Sequence, residues 1–375
     1  MVGGVTDSFT SENDAAKPIS HRKRLGYALL VAALAGTAAL AWVPAPYVIE
    51  MPGPVYDTLG TVTSSDDSKV PMVQISGTET YETSGSLSLL TVWVAGSPES
   101  RPSWFDVFEA WVRPDYAIMP IDAIYPSGIT QEDSANSNKI AMSNSKQEAV
   151  AAAFKYLEIP YESEVAVDST MQGYPASGLL KENDIVVMAN GVNITDVSGL
   201  RAEIAKVGVD KEIELTVLRD GETLNLKVGI KAAPDDNKTP VVGILTKGIY
   251  RFPFEVNIQL DNVGGSSAGM MFALGIIDQL TPGSLTGGAY VAGTGEISAD
   301  GTVGEIGGVV QKAYAARDAG AKWMLVPSPN CDELALNIPD GLRTVRIETL
   351  TDSMNALKAI RAHSGTSTLP SCLTD

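Results

Sequence analysis

The sequence predicts an α+β multidomain chain with an N-terminal transmembrane helix, and three observations carry that expectation. Leu25 to Val43 holds no charged side chain. Segments that alternate with period two are interleaved with segments of helical period. Polar and Pro/Gly-rich breaks divide the 375 residues into more than one unit, and a hydrophobic fraction of 44% can fill more than one core.

Residues 1–24 are poor in apolar side chains and are expected to form a disordered cytoplasmic tail ending in His21-Arg22-Lys23-Arg24. The uncharged run behind it, residues 25–43, would extend about 28 Å as a helix, close to the hydrocarbon thickness of a bilayer. Basic residues ahead of the span place the N-terminus in the cytoplasm and everything after it outside. The expected localisation is therefore the cell membrane, single-pass, with the bulk of the chain extracytoplasmic. Ala39-Leu40-Ala41 has the small-residue spacing of a cleavage site, which keeps a removed leader open as the alternative. The formal net charge of −18, from 45 acidic and 27 basic residues, would repel phosphate backbones, so no nucleic acid partner is expected.

Residues 44–155 read as an extracytoplasmic, mixed β-rich region. Pro44-Ala45-Pro46 and Pro52-Gly53-Pro54 make a stiff exit from the membrane, and Gly85 to Val94 has strand character. Ser103 caps a helix running to Val112, whose aromatic residues could dock on a membrane surface but by default are expected to pack in a core or groove. Tyr125-Pro126-Ser127-Gly128 leads into a polar, Ser/Asn-rich loop, followed by a helix from about Ser145 to Leu157.

Residues 164–230 carry distinctive punctuation: Pro175-Ala176-Ser177-Gly178-Leu179, Asp184-Ile185-Val186, Asn190-Gly191-Val192 and Leu218-Arg219-Asp220-Gly221. The Asn-Gly and Asp-Gly pairs mark turns between strands. The whole string resembles a PDZ domain of the bacterial protease type, assigned to residues 156–232. That resemblance implies binding of an extended peptide as an added strand at a sheet edge. One departure stands: no Gly-Leu-Gly-Phe-like carboxylate loop precedes the unit, its place being held by Tyr156-Leu157-Glu158-Ile159-Pro160. Asp235-Asp236-Asn237-Lys238 reads as a linker to a last domain at 240–363, followed by a tail at 364–375. Cys331 and Cys372 are too few and too far apart for a zinc site, whereas a disulfide between them would tie the tail to the last domain.

The chemistry of the last domain centres on Gly264-Gly265-Ser266-Ser267-Ala268-Gly269, between an alternating strand at Phe254–Leu260 and an apolar helix at Met270–Leu280. Alone, such a turn is more simply a serine-capped helix start than a nucleophile site. The two histidines, His21 and His363, lie before the span and near the C-terminus, so a Ser-His-Asp triad is not expected. With no H-E-x-x-H, no Cys/His cluster and no G-x-x-x-x-G-K-[ST], no metal, other cofactor or ATP is expected. A nucleophilic serine would then need a lysine or carboxylate as its base. Lys312 has Gly308, Val309, Ala315 and Ala316 as its helical neighbours. Such small apolar surroundings point to a desolvated lysine with a lowered pKa and an available neutral amine. The plainer reading is a lysine whose stem lies on a core helix and whose head reaches water.

Taken together, Gly264 to Gly269, Thr294-Gly295-Glu296-Ile297, Gly301 to Gly308 and Lys312 resemble the proteolytic domain of Lon-type serine proteases over about 120 residues. The full layout resembles the membrane-anchored PDZ–Lon protease family. The resemblance implies Ser267 as nucleophile and Lys312 as its base, with Thr294 orienting the lysine and Gly265 and Ser266 supporting the turn. Ser266 stands where the family usually has proline, and Gly264 where the ATP-dependent enzymes have aspartate. The implied function is an ATP-independent serine endopeptidase that cleaves extracytoplasmic proteins or peptides, its PDZ domain recruiting or regulating substrate. Assembly into a homo-oligomer is left open. The alternative is a catalytically silent, PDZ-containing binding or scaffold protein of the cell envelope. A further reading makes the strands and helix before the PDZ unit the opening part of the protease fold, with the PDZ domain inserted.

Overall fold

The computed structural model describes residues 21–40, 42–64, 67–125, 130–233, 238–260 and 263–373. The expected tail ahead of His21 and most of the expected linker at 235–238 lie outside the described residues.

Helix α1 covers His21–Leu40 and corrects the expected span at 25–43. Among the described residues, no helix is long and apolar enough to cross a membrane. α1 takes the basic cluster into its own first turn, and its uncharged part, Leu25 to Leu40, extends only about 24 Å, short of a hydrocarbon layer of about 30 Å. The transmembrane helix, and the single-pass localisation that rested on it, are overturned.

Strands β1 (Tyr47–Asp57), β2 (Val73–Ser76) and β3 (Ser86–Ala95) follow. Helix α2 (Trp104–Trp111) starts in a capping box between Ser103 and Asp106. It buries Val107 and Ala110, but Phe108 and Trp111 are 60% and 73% exposed, against the expected packing of its aromatics. After β4 (Ala117–Pro120), helix α3 runs over Gln131–Tyr156, beginning well before the expected Ser145. Thr130 and Asp133 form another capping box, and the Ser/Asn-rich stretch expected as loop is the largely exposed first half of this helix. Its second half, from Ala149 to Phe154, is buried, and that packing carries the polar half with it.

The PDZ unit comprises β5 (Glu162–Thr170), β6 (Ile185–Ala189), α4 (Val197–Val207), β7 (Glu212–Arg219), β8 (Glu222–Gly229) and β9 (Ile244–Arg251). The strands lie in the order β8-β7-β6-β5-β9. Alternation along β7 turns Ile213, Leu215 and Val217 inward, onto Val165, Val167 and Val186. Buried Asp184 is gripped by Arg219 through two bonds of 2.7 Å. The edge strand β9 comes from the end of the unit, past the expected boundary at 232. Its outer edge is unpaired among the described residues.

The chain closes with β10 (Glu255–Ile258), α5 (Gly269–Leu280), β11 (Tyr290–Gly293), β12 (Glu296–Ile297), α6 (Val309–Asp318), β13 (Trp323–Pro327), β14 (Arg343–Ile347) and α7 (Leu350–Arg361). The central sheet has the order β14-β13-β11-β3-β1-β4. Its first four strands are parallel, β1 runs antiparallel to β3, and the edge strand β4 pairs antiparallel with β1. Strands from before and after the PDZ unit thus share one sheet. Alternation sends Val291 and Leu325 to a face covered by α3, α5 and α7, and Ala292, Met324 and Val326 to a face covered by α6. A disulfide between Cys331 and Cys372, Cα atoms 4.7 Å apart, fastens the tail to the α6 face.

Candidate active site

Strand β11 is short, and its pairing with β3 stops at Gly293–Leu89. The two covering layers meet past that point, at the carboxyl ends of parallel strands, where open α/β sheets place their sites. Ser267 arrives on the turn before α5, from one face, and Lys312 on α6, from the other. Gly308 opens α6 with φ +65, and a Cβ there would lie 2.6 Å from Val92 Cγ1. Only glycine lets α6 start so close to β3.

Lys312 Nζ donates to Ser267 Oγ at 2.9 Å and to Thr294 Oγ1 at 3.1 Å. Thr294 Oγ1 in turn donates to the Ser267 carbonyl at 3.0 Å, which also accepts the Gly295 N–H at 2.8 Å. Thr294 is fully buried and Lys312 is 2% exposed. Burial pushes the Lys312 amine down from its ordinary range to about 8, opposed by the charges of Glu50 and Glu296. At pH 7 about a tenth of such a lysine is neutral, against roughly one in two thousand for an unperturbed one. Glu50, on β1, is itself buried, and desolvation raises its pKa, with Glu333 adding and Lys312 opposing.

Ser266 turns the other way. Its hydroxyl donates to the Glu296 carboxylate, and its carbonyl accepts from Ser145 Oγ at 2.9 Å. The Gly265 N–H donates to the Asn138 carbonyl at 2.9 Å. A Cβ on Gly264 would sit 2.7 Å from Asn138 Cβ, so the aspartate of the ATP-dependent enzymes has no room while α3 lies against the turn. Helix α5 has no side-chain cap. The Gly269 and Met270 N–H groups are occupied by the Ser266 and Gly295 carbonyls. Those of Ser267 and Ala268 have no partner among the described residues.

A groove of about 610 Å³ lies in front of Ser267, between Leu90 to Val94 of β3 and Asn138 and Met142 of α3. Behind the turn, a cavity of about 310 Å³ is shared by Ser266, Glu296, α3 and the PDZ elements β9 and α4. Ser267, Lys312 and Thr294 come together, flanked by Gly265 and Ser266, while His363 stands exposed beyond α7. Sequence reasoning assigned no role to Glu296, although it lies inside a recognised motif. It missed Glu50, Asn138 and Ser145 outright, because nothing local marks a residue whose partner is more than a hundred positions away.

A PDZ domain model matches residues 134–230, and a model of the Lon protease (S16) C-terminal proteolytic domain, a serine-type peptidase, matches residues 262–360. The two matches together support a PDZ–Lon protease family for this chain. It is similar to Lon protease 2 of Bacillus subtilis, 27% identical over 208 residues, covering 53% of this chain and 34% of that protein. It is likewise similar to a Lon protease of Clostridioides difficile, 31% identical over 216 residues, covering 53% and 27%. The chain therefore spans about a third of the length of these curated relatives. The crystal structure of the PDZ domain of an SdrC-like protein from Listeria innocua shares 22% identity, covering 22% of this chain and 92% of that one, with a TM-score of 0.21. In this chain the Lon match contains α5, β11 to β14 and α6, whereas β1, β3 and β4, which complete the same sheet, lie ahead of the PDZ match.

Proposed function

We propose that this chain is an ATP-independent serine endopeptidase that works through a Ser267–Lys312 dyad, with the PDZ unit recruiting or regulating its substrate. The observation that carries the reading is the 2.9 Å contact between Lys312 Nζ and Ser267 Oγ, made by a lysine with almost no access to water. Neutral Lys312 takes the Ser267 proton as the oxygen attacks a peptide carbonyl carbon. The unoccupied N–H groups of Ser267 and Ala268 receive the developing oxyanion. The lysine ammonium then protonates the leaving amine, and the ester left on Ser267 is cleaved by water with Lys312 again as base. Thr294 holds the lysine nitrogen on line throughout.

Beyond Leu89, β3 pairs with β1 alone among the described residues, so its other edge is free beside Ser267. A substrate segment that adds to that edge as a strand would lie in the groove with its backbone fixed and its side chains alternating. Flexible or already unfolded segments are the substrates that can lie along such an edge. The protease fold is then built from both sides of an inserted PDZ unit.

The test is cleavage of an unfolded protein such as casein by wild type, Ser267→Ala and Lys312→Ala. Wild type should cleave, and each variant should lose cleavage while keeping its thermal unfolding midpoint. Cleavage retained by either variant overturns the dyad, and a well-folded wild type that cleaves nothing favours the silent binding protein.

A further inference from the structure

Helix α3 holds the active-site turn at two points, through Asn138 and Ser145. One turn further along lies Glu148, which faces the PDZ unit as well. Its Oε1 accepts the Tyr250 hydroxyl at 2.6 Å, and its Oε2 accepts the Ala299 N–H at 2.5 Å. Tyr250 belongs to the PDZ edge strand β9. Ala299 follows β12, whose Glu296 receives the Ser266 hydroxyl. A single carboxylate therefore joins the PDZ sheet to the loop that steadies the nucleophile turn, and it does so at the wall of the cavity that both share.

The carboxylate is desolvated, which raises its pKa; the Tyr250 and Ala299 bonds oppose that, while Asp196 and Asp300 add to it. A half-buried glutamate with two donors from two different domains is a poor choice for filling space, since an apolar side chain would fill it without the desolvation cost. What it supplies is orientation. β9 cannot move away from α3 without releasing Tyr250, and the loop at Ala299 cannot shift without releasing the other oxygen.

We infer that Glu148 is a positioning residue through which the PDZ edge strand sets the geometry of the nucleophile turn. The inference rests on the peptidase reading, and turnover of an unstructured fluorogenic peptide separates the two. Glu148→Ala should lower kcat ten- to a hundredfold, the range of a small misplacement of reacting groups, and leave KM within about twofold. Glu148→Gln should restore most of that loss, because its carbonyl can accept from Ala299 and its amide can donate to the Tyr250 oxygen. Tyr250→Phe removes only the hydroxyl and keeps the ring stacked on Phe252, so it folds. It should lower kcat severalfold.

Because Tyr250 acts through Glu148, the double variant Glu148→Ala/Tyr250→Phe should be no slower than Glu148→Ala alone. Losses that multiply, a Gln variant as slow as the Ala variant, or kcat unchanged in Tyr250→Phe each overturn the inference. If wild type cleaves and Lys312→Ala does not, such a result leaves the peptidase reading standing. No cleavage by wild type overturns both.

Discussion

Ser266 and Ser267 are adjacent on one turn and enter opposite environments. The Ser267 hydroxyl meets an amine that burial has made partly neutral, beside a fully buried threonine, at the foot of a groove walled by Leu90 and Met142. The Ser266 hydroxyl meets the Glu296 carboxylate in a cavity lined by Glu148, Ser298 and PDZ residues. A carboxylate can also accept a proton, but any alkoxide forming beside Glu296 would face a like charge until the proton had moved fully across. A hydroxyl beside a neutral amine has somewhere to send its proton. Residue type is the same on both sides, so the neighbour across the turn decides which serine can react.

The largest expected effect tests that contrast directly. Ser267→Ala should lower kcat for peptide cleavage by about a thousandfold or more, whereas Ser266→Ala, which loses only the Glu296 tether, should lower it less than about tenfold. Reversed magnitudes in single-turnover assays would reassign the nucleophile and break the comparison.

The Ser267 side was the more legible in the sequence, and the reason is physical. Lys312 sits on a helix, so its neighbours at three and four positions are fixed by geometry, and all four are small or apolar. Those residues narrowed it to two readings, a desolvated amine or a head reaching water, and the structure has the first. The turns of the PDZ unit were equally readable, because Asn190-Gly191 and Asp220-Gly221 act locally. The Ser266 side was not. Its walls come from α3, whose Ser/Asn-rich half reads as loop by composition, because surface polarity hides a helix that its buried half stabilises. The central sheet was hidden for the same reason of distance: β3 and β11 pair Ser86 with Tyr290, and no local pattern announces such a pairing. In α1, lack of charge was mistaken for length, and the helix ends before the apolar run does.

The dry side also depends on the face beneath it. Lys312 leaves a layer in which α6 packs against the segment held by the disulfide between Cys331 and Cys372. The bridge closes 41 residues of sequence separation, for which chain entropy alone would contribute about 4 kcal/mol at most. Cys372→Ser should therefore lower the denaturant midpoint clearly, with kcat at 25 °C changed little while the protein stays folded. A variant as stable as wild type would mean the tail is not a latch.

A smaller effect sharpens the electrostatic half of the comparison. With the neutral amine as base, kcat/KM should rise with pH through a midpoint near 8 and level off above it. Glu50 is the largest charge holding that midpoint up. Glu50→Gln removes it, so the Lys312 pKa falls and the whole profile moves to lower pH. A profile that stays in place, or moves up, would detach Glu50 from the site.

The smallest effect concerns a second buried carboxylate, on the same helix as the nucleophile turn but with no catalytic neighbour. Asp278 of α5 is fully buried, with Oδ1 accepting the Leu285 N–H and Oδ2 without a partner among the described residues. Burial raises its pKa to about 6, the Leu285 bond opposing. The folded value thus lies above the unfolded one near 3.9, so between these two the folded state binds more protons. Stability then falls as pH rises from about 4 to about 6, and stays lowered above that. Asp278→Asn keeps an acceptor for Leu285 and removes the charge, so it should raise the melting temperature by a few degrees at pH 7.5 and by less at pH 5. The contrast with Lys312 is the point of the measurement. Both groups pay for burial in a shifted pKa, but in the proposed dyad the shift at Lys312 would supply the base, and neutralising Asp278 should cost the peptidase nothing. Equal destabilisation by Asp278→Asn at both pH values would show that its carboxylate is held by partners this structure does not contain.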